Sequence, residues 1–481
     1  MTRLTMSSPA QADILRSTDP VTGDLIWEGA VASPEEVDAA VARARGALPV
    51  WRGRSLAERV RCLRAFAESI GEAMEELALA ISRENGKPLW ESRTEAAAVR
   101  GKIELSIEAH ERRCGDFVNR GAHTRFRPHG VVGVLGPFNF PAHLPNGHIA
   151  PALLAGNTVV FKPSPDTPGV GEWLVRRWRA SGLPPGALEC VQGGAATGAH
   201  LAGHAGIDGL FFTGSAHVGK RLLAANADHP GKILALEMGG NNALVVHEAA
   251  DVRAAAGVVA QSAFISAGQR CTCARRLILV EGPESNELLD ALEAVVAGLR
   301  VGHYAEDPEP FFGPLISGAA ADRVSAAAAD LLKKGARLRL PVERIREGTP
   351  LLRPGIYDVT GMPDRADTEI FGPVLQVIRC RNFAEALEET NRTRFGLAAG
   401  LLSASEAHYR HFRETVRAGI INWNHPLTGA SSAAPFGGIG DSGNHRPSAY
   451  FAADYCSYPV ASLERSDLGE APALPGFSRV P

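Results

Sequence analysis

The chain has 481 residues, 45% hydrophobic and 21% charged, and its 50 Lys and Arg against 53 Asp and Glu leave a net charge of −3. This is the composition of a globular protein of about three domains, and the balanced charge argues against a nucleic-acid partner, whose binding needs a basic field. Seven cysteines without repeated Cys-x-x-Cys pairs argue against a disulfide framework or a structural zinc site.

The N-terminal part is predicted to be helical. Residues 1–20 lack the apolar core of a signal peptide, so we expect a cytoplasmic protein that does not contact membranes. Capping boxes begin at Ser33 and Ser55, each with Glu three residues later, and Gly86 ends the second helical region. Another helix is predicted from about Trp90 to Arg112.

From Gly130 onward, short apolar strands alternate with helices, which predicts βαβ units and a parallel sheet. The strands expected in this part are 131–135, 157–161, 188–191, 209–212 and 232–236. Residues 128–161 carry no charge but contain five prolines, so we interpret them as strand, loop, helix and strand and not as a membrane span. A second unit begins near residues 243–246, with a helix after Asp251 and a strand at 276–280.

The ends of the predicted strands carry polar groups or glycine turns. In open parallel sheets, ligands bind beyond the carboxyl ends of the strands. Asn139, Lys162 and Glu237 follow or end three of these strands, and Gly214–Gly219 follows a fourth. The last segment opens a helix, where backbone N–H groups attract a pyrophosphate, although Ser215 also fits an ordinary N-cap. The segment 438–443 matches Gly-x-Gly-x-x-Gly literally, but no apolar strand precedes it, so we predict a loop.

Glu237 and Cys271 are the candidate reactive residues. A carboxylate that ends an apolar strand needs either an ion-pair partner or a raised pKa, and the second makes it a candidate base. Cys271 has Arg270, Arg275 and Arg276 nearby in sequence, and positive neighbours lower the pKa of a thiol. Cys273 makes a metal pair conceivable, but no second Cys or His pair stands at zinc-ligand spacing, so no metal is expected.

These segments together resemble the aldehyde dehydrogenase superfamily along nearly the whole chain. The matching landmarks are Pro137–Pro141, Phe161–Ser164, Phe212–Ser215, Leu236–Gly240, Gly268–Cys271, Glu369–Pro373 and Asn391…Leu397. The resemblance implies an α/β fold with a Rossmann-like parallel-sheet cofactor domain, an α/β catalytic domain and a small β oligomerisation element. The implied bounds are 1–112 with 131–239, 240–440, and 113–130 with a C-terminal arm in 441–481.

The resemblance also implies a mechanism. Cys271 attacks the aldehyde, Asn139 and the Cys271 backbone N–H stabilise the oxyanion, and Glu237 activates the water that hydrolyses the thioester. The expected cofactor is NAD, bound by Lys162, Ser164, Gly214, Ser215, Ala216, His217, Val218, Gly219, Glu369 and Phe371. Many relatives have Glu where this chain has Pro165, and that Glu repels a 2′-phosphate, so NADP is not excluded.

Within the superfamily, three segments most resemble the N-succinylglutamate 5-semialdehyde dehydrogenases of arginine catabolism. These segments are 143–148, 271–276 and 443–449. The expected substrate is therefore an acidic semialdehyde, and the expected assembly is a homodimer or homotetramer. Arg446 is the candidate partner of a substrate carboxylate, with His143 beside it, although a surface or subunit-interface arginine fits as well. Another acidic semialdehyde, such as succinate semialdehyde, is the alternative substrate. A catalytically silent relative would be free to lose Asn139, Glu237 or Cys271, and this chain retains all three.

Overall fold

The structure is a computed structural model that describes residues 13–468 and 475–476. Residues 1–12 of the expected cofactor domain lie outside the described residues. So do residues 469–474 and 477–481 of the expected C-terminal arm, Pro472 included. Within the described part, no helix combines the length and the apolar character that crossing a membrane requires.

The N-terminal part forms a hairpin followed by four helices. These elements are β1 (Ile14–Thr18), β2 (Leu25–Ala30), α1 (Pro34–Arg52), α2 (Leu56–Glu72), α3 (Met74–Asn85) and α4 (Leu89–Arg113). The Ser33 and Ser55 capping boxes form as predicted, because each hydroxyl accepts a backbone N–H of the first turn. The second helical region is two helices, since the backbone leaves helical geometry at Ala73, and Gly86 ends α3 in the left-handed conformation.

The next elements form the first sheet and its helices. They are β3 (Phe117–Asn119), β4 (Ala122–Pro128), β5 (Val131–Leu135), α5 (His143–Ala155), β6 (Thr158–Lys162), α6 (Pro168–Ala180), β7 (Leu188–Cys190), α7 (Ala195–Gly203), β8 (Gly209–Gly214), α8 (Ala216–Ala225) and β9 (Ile233–Met238). Five strands pair in parallel in the order β7-β6-β5-β8-β9, with a buried apolar cluster on each face. The strand order reverses at β5, which is where doubly wound sheets bind ligands.

The second unit is a seven-stranded sheet with its own core. Its elements are β10 (Asn242–Val246), α9 (Val252–Phe264), β11 (Ala274–Val280), α10 (Pro283–Ala297), α11 (Gly318–Lys333), β12 (Arg337–Leu340), β13 (Glu343–Arg344), β14 (Leu352–Arg353), β15 (Gly355–Asp358), β16 (Val374–Cys380), α12 (Phe383–Asn391), β17 (Ala398–Leu402), α13 (Glu406–Thr415) and β18 (Ile420–Trp423). The order is β12-β15-β16-β11-β10-β17-β18, and β12 alone runs antiparallel to its neighbour.

The C-terminal elements return to the first unit. They are β19 (Pro435–Phe436), β20 (Ser448–Ala449), α14 (Ala452–Tyr455) and β21 (Ser457–Leu463). Strand β21 pairs with β4, which pairs with β3, so the hairpin in 113–130 becomes a three-stranded antiparallel sheet. Tyr455 and Cys456 belong to the core of the first unit. The loop predicted at 438–443 contains only a short 3-10 turn, Gly440–Ser442.

Candidate active site

A cavity of about 780 Å³ lies where the carboxyl ends of the first sheet meet the second unit. Its wall includes Lys162, Thr213 and Glu237 from the ends of three strands of the first sheet. The second unit contributes Cys271, from the turn before β11, and part of α11. The volume is within the range of small-molecule sites. The strand ends that the sequence analysis selected therefore meet in one place.

The turn that carries Cys271 has an unusual backbone. Ser266, Ala267 and Gly268 have φ of 56°, 54° and 71°, in the left-handed region. Glycine is required at the third position, because a β-carbon there would collide with the carbonyl oxygen of Gly372. Left-handed non-glycine residues are strained, and such strain persists where the surrounding structure determines it. The turn brings the thiol to the wall of the cavity.

Glu237 is fully buried beside Cys271. Among the described residues, neither of its carboxylate oxygens has a hydrogen-bond partner of normal geometry. Burial raises the pKa of this carboxyl group to about 8, Glu369 adds to the rise, and the neighbouring Cys271 thiol opposes it. The alternative of a structural ion pair therefore does not hold for Glu237. The raised pKa that the sequence analysis required is present.

The prediction that arginines lower the pKa of Cys271 is wrong. Burial raises the pKa of this thiol well above its usual value, and the carboxyl groups of Glu237 and Glu369 raise it further. The three guanidinium groups have other partners: Glu91 for Arg270, Glu369 for Arg275, and three main-chain carbonyl groups for Arg276. Closeness in the sequence therefore does not show which charged side chain lies next to which thiol in the structure.

Cys273 lies two residues further on in a different environment. It is completely buried, and its Sγ is 3.8 Å from the main-chain oxygen of Ile265. Burial raises the pKa of its thiol, whereas Arg275 and Arg270 oppose the rise. The arginines thus act on this thiol and not on Cys271. Cys273 does not line the cavity.

Asn139 lies in the loop after β5, opposite the Cys271 turn. Its Nδ2 donates to the main-chain oxygen of Gln269 at 2.8 Å, and Asn139, Gln269 and Cys271 all line the cavity. The Oε1 of Gln269 accepts the backbone N–H of Ile316 at 3.0 Å. One amide hydrogen of Asn139 is thus committed to holding the turn, and the other is available for an oxygen near the thiol.

The N-terminus of α8 faces the cavity. Gly214, Ser215 and Val218 lie on its wall, and the Ser215 hydroxyl accepts the Val218 N–H at 3.3 Å, so the N-cap geometry is also present. Three other predicted cofactor residues, Ala216, His217 and Gly219, do not line the cavity. A β-carbon at Gly219 would collide with Met238, so this glycine allows α8 to pack against β9. The helix dipole and free N–H groups here favour an anionic group.

Lys162 and Ser164 line the cavity at the end of β6, together with Pro165. The Lys162 Nζ donates to the main-chain oxygens of Pro163 at 2.6 Å and Gly193 at 2.8 Å. Burial lowers the pKa of this ammonium group to about 8. Two of its three N–H donors are therefore used to fix its position, which leaves one for a ligand.

Glu369 and Phe371 lie on the opposite wall of the cavity. The Glu369 carboxylate pairs with Arg275 at 3.3 Å, and burial raises its pKa while Arg275 opposes the rise. The Arg275 guanidinium also lies 5.3 Å from the ring centroid of Phe371. From the sequence, Arg275 is only a neighbour of Cys271, and its ion pair with Glu369 joins residues 94 positions apart, so no local pattern indicates it.

The two substrate candidates, Arg446 and His143, do not line the cavity. The Arg446 Nη1 donates to the main-chain oxygen of Gly438 at 2.9 Å. His143 is partly buried in the first turn of α5, and its pKa lies well below the usual value because of burial, with Lys102 adding to the effect. Lys102 is not among the residues predicted from the sequence, although Glu91, Glu95 and Lys102 all lie on the buried side of α4. Charged residues on the inner side of a helix are the signal that could have found it.

A possible metal group lies elsewhere. Among the described residues, one group of three side chains offers ligand atoms within 4.8 Å of one another: His247, Glu248 and His408. None of them lines the cavity. Neither Cys271 nor Cys273 belongs to such a group, so the cavity itself contains no cluster of this kind among those residues.

Comparisons with known proteins agree with this architecture, an α/β protein with a cavity between two sheets. The profile of the aldehyde dehydrogenase family matches residues 7–459. The chain therefore belongs to the aldehyde dehydrogenase family. This confirms the resemblance found in the sequence and the α/β fold expected from it, and the chain is accordingly an oxidoreductase.

Individual relatives are similar over nearly the full length. An N-succinylglutamate 5-semialdehyde dehydrogenase of Ectopseudomonas mendocina (strain ymp) is 54% identical over 96% of this chain and 95% of that protein. The NADP-dependent glyceraldehyde-3-phosphate dehydrogenase of Bacillus halodurans C-125, complexed with NADP, is 27% identical with a TM-score of 0.87, covering 94% of this chain and 95% of the other. A 1-pyrroline-5-carboxylate dehydrogenase from Thermus with bound NAD is 29% identical with a TM-score of 0.87, covering 94% and 90%.

Proposed function

We propose that this chain oxidises N-succinyl-L-glutamate 5-semialdehyde to N-succinyl-L-glutamate with NAD or NADP, a step of arginine catabolism by the succinyltransferase route. The observation that carries the chemistry is the buried pair of Cys271 and Glu237 in one cavity with Asn139. The relative of 54% identity supports the choice of substrate. Another acidic semialdehyde is less well supported, and the three reactive residues argue against a silent relative.

In the proposed mechanism, the Cys271 sulfur forms a bond to the aldehyde carbon and gives a thiohemiacetal. The pKa of this thiol is raised, so it needs a base, and the adjacent Glu237 carboxylate accepts its proton. Asn139 Nδ2 and the Cys271 backbone N–H stabilise the oxyanion. Glu237 releases this proton to solvent before the thioester is hydrolysed. It then removes a proton from the attacking water, the carbon–sulfur bond breaks, and the acid leaves as the Cys271 thiolate takes up the proton held by Glu237.

The cofactor site is part of the same proposal. When bound, a nicotinamide dinucleotide supplies the hydride acceptor of the oxidation. The N-terminus of α8 suits its pyrophosphate, and Lys162 and Glu369 keep groups available for ribose hydroxyls. The residues proposed to hold it are Lys162, Ser164, Gly214, Ser215, Ala216, His217, Val218, Gly219, Glu369 and Phe371. Those that do not line the cavity act through the backbone and packing of α8.

We propose a separate role for each of the two large sheets and for the three-stranded sheet. Residues 1–112 with 131–239 bind the cofactor, and residues 240–440 carry the nucleophile. Residues 113–130, with β21 from the segment 441–481, form the oligomerisation element of a homodimer or homotetramer in the cytoplasm. Exposed apolar side chains support this role, since Phe117, Val118 and Leu463 are more than half exposed on the three-stranded sheet.

The test is an aldehyde panel with the purified protein, followed by NADH and NADPH absorbance. N-succinylglutamate semialdehyde should have the highest kcat/KM, above succinate semialdehyde, glutamate semialdehyde and uncharged aldehydes. A higher kcat/KM for succinate semialdehyde would show that succinate semialdehyde is the preferred substrate. If the folded protein oxidises none of these aldehydes, the proposed function is wrong.

A further inference from the structure

Lys102 is a buried cation on α4, the helix that packs against α5. Only 1% of the residue is exposed. Burial lowers the pKa of its ammonium group to about 8, and no carboxylate among the described residues lies close enough to oppose this. A buried charge without a partner is costly, so it calls for an explanation.

The neighbouring cations each have a carboxylate partner. Lys87 Nζ lies 2.7 Å from Glu95 Oε2, and Arg270 Nη2 lies 2.8 Å from Glu91 Oε1. Lys87, Lys102 and Arg270 are three cations near only two carboxylates. Both carboxylates are paired, so the charge of Lys102 is not neutralised. Both ion pairs are buried, so water does not screen this excess effectively.

The charge of Lys102 acts on the first turns of α5. Burial lowers the pKa of His143 and of His148, and Lys102 lowers both further, so both imidazoles stay neutral and offer no competing cation. Glu95 Oε1 accepts the backbone N–H of His143, and α5 begins four residues after Asn139 in the catalytic loop. The excess charge therefore lies beside α5, the helix that follows the loop of Asn139.

Gly147 places no side chain between the Ser448 hydroxyl and the ammonium group of Lys102. A β-carbon at Gly147 would be 3.5 Å from Ser448 Oγ, 3.7 Å from Lys102 Cε and 3.8 Å from Lys102 Nζ, all ordinary contacts. A residue with a side chain at this helical position would occupy the space between the hydroxyl and the ammonium group. Two of the three segments that carried the closer resemblance, 143–148 and 443–449, meet here at Lys102. Like Arg446 and His143, Lys102, Gly147 and Ser448 do not line the cavity of about 780 Å³, and α5 reaches that cavity through Leu144, one turn before Gly147.

We propose that Lys102, with the Ser448 hydroxyl beside it, binds a carboxylate of the acidic aldehyde substrate. The inference rests on the proposed function and deepens it, because N-succinylglutamate semialdehyde carries two carboxylates remote from the aldehyde. A bound carboxylate supplies the anion that the cluster of three cations and two carboxylates lacks. An ammonium–carboxylate contact of this kind is charge-assisted and therefore strong.

The Lys102→Met variant removes the charge and keeps the length of the side chain. We expect kcat/KM for N-succinylglutamate semialdehyde to fall roughly tenfold to hundredfold, as for loss of one charge-assisted contact, while hexanal changes less than about twofold. The matched control is Arg100→Met, which removes an exposed cation from the same helix and should leave both values unchanged. Arg446→Ala, the alternative from the sequence, should also leave their ratio unchanged.

The pH profile gives a second readout. The ratio of kcat/KM for the charged aldehyde to that for hexanal cancels the titration of Cys271 and Glu237, which serve both substrates. In the wild type this ratio should fall above about pH 8 as Lys102 loses its proton, and in Lys102→Met it should not. The other groups facing this region are His143 and His148 on α5, already neutral there, and the two ion pairs.

Binding of the product N-succinylglutamate, measured by calorimetry, should weaken at least about tenfold in Lys102→Met. An unchanged substrate ratio and unchanged product binding in this variant would overturn the inference and leave the proposed function intact. If the wild type prefers succinate semialdehyde, the same ratio measured with that aldehyde decides the role of Lys102. If the wild type has its highest kcat/KM for hexanal, both the proposed function and the role of Lys102 are wrong.

Discussion

Cys271 and Cys273 are two residues apart, but only Cys271 lines the cavity and faces Glu237. We expect Cys271→Ala to abolish aldehyde oxidation, since the variant lacks the nucleophile, while NADH binding, followed by fluorescence, is retained. Cys273→Ala should keep substantial turnover, because that side chain only fills space and leaves a small cavity. An inactive Cys273→Ala together with an active Cys271→Ala would show that the wrong thiol has been assigned.

Glu237 should control hydrolysis of the thioester. The base must be ionised, and burial raises its pKa to about 8, so the deacylation rate should rise with pH through about 8 and level off above it. Glu237→Gln should remove this dependence and slow deacylation more than acylation, so a burst of NADH appears in stopped-flow traces. An unchanged deacylation rate in Glu237→Gln would mean that Glu237 acts only before the thioester forms.

At the scale of elements, Arg275 connects the Cys271 turn to the segment that carries Glu369 and Phe371. Its guanidinium is buried and donates to the main-chain oxygens of Gly268 at 2.6 Å and Arg270 at 2.9 Å. It therefore positions the nucleophile and a proposed ribose ligand at once.

Arg275→Met should raise the KM for NAD and lower kcat together, at a cost of about 1.5–3 kcal/mol for charge-assisted hydrogen bonds. Arg275→Lys should recover part of the loss. A double-mutant cycle with Glu369→Gln should be non-additive in the KM for NAD, because the two side chains are in contact. If the effects of the two substitutions on the KM for NAD are strictly additive, Arg275 only holds the Cys271 turn in place and does not act through Glu369.

The loop after β6 should set the choice between NAD and NADP. Pro165 lines the cavity where many relatives carry a ribose-binding Glu, and Arg323 lies on the same wall. We expect NAD to be preferred, though less strictly than in those relatives. Pro165→Glu should raise the ratio of kcat/KM for NAD over NADP, because a carboxylate there repels a 2′-phosphate. If the ratio does not change, another group sets it, and Asp166 would be the first to replace.

At the scale of the whole molecule, the three-stranded sheet of β3, β4 and β21 leaves apolar side chains exposed. Val118→Lys should shift the proposed oligomer toward monomers in light scattering, since a buried lysine without a partner is unfavourable at an interface. Val295→Lys, which changes an exposed apolar residue on α10, is the matched control and should not alter the mass. A wild type that is monomeric at all concentrations would remove this sheet from the assembly.

The sequence by itself determined the features that depend on neighbouring residues. Capping boxes at Ser33 and Ser55, the stop at Gly86 and the apolar strands of both sheets follow from local hydrogen bonding and hydrophobic patterning. The order of polar groups at strand ends also located the site, because parallel strands bring their carboxyl ends to one edge.

Only the tertiary structure decided which charges meet. Arg275, next to the nucleophile in sequence, pairs with Glu369 and acts on Cys273, whereas Glu237 faces Cys271 and raises the pKa of its thiol. The position of Lys102 on the same side of α4 as Glu91 and Glu95 is a local signal, but it does not show that Lys102 is buried without a carboxylate partner. Burial and pairing depend on chain segments far apart in the sequence, and electrostatic free energies depend on those distances and on the exclusion of water.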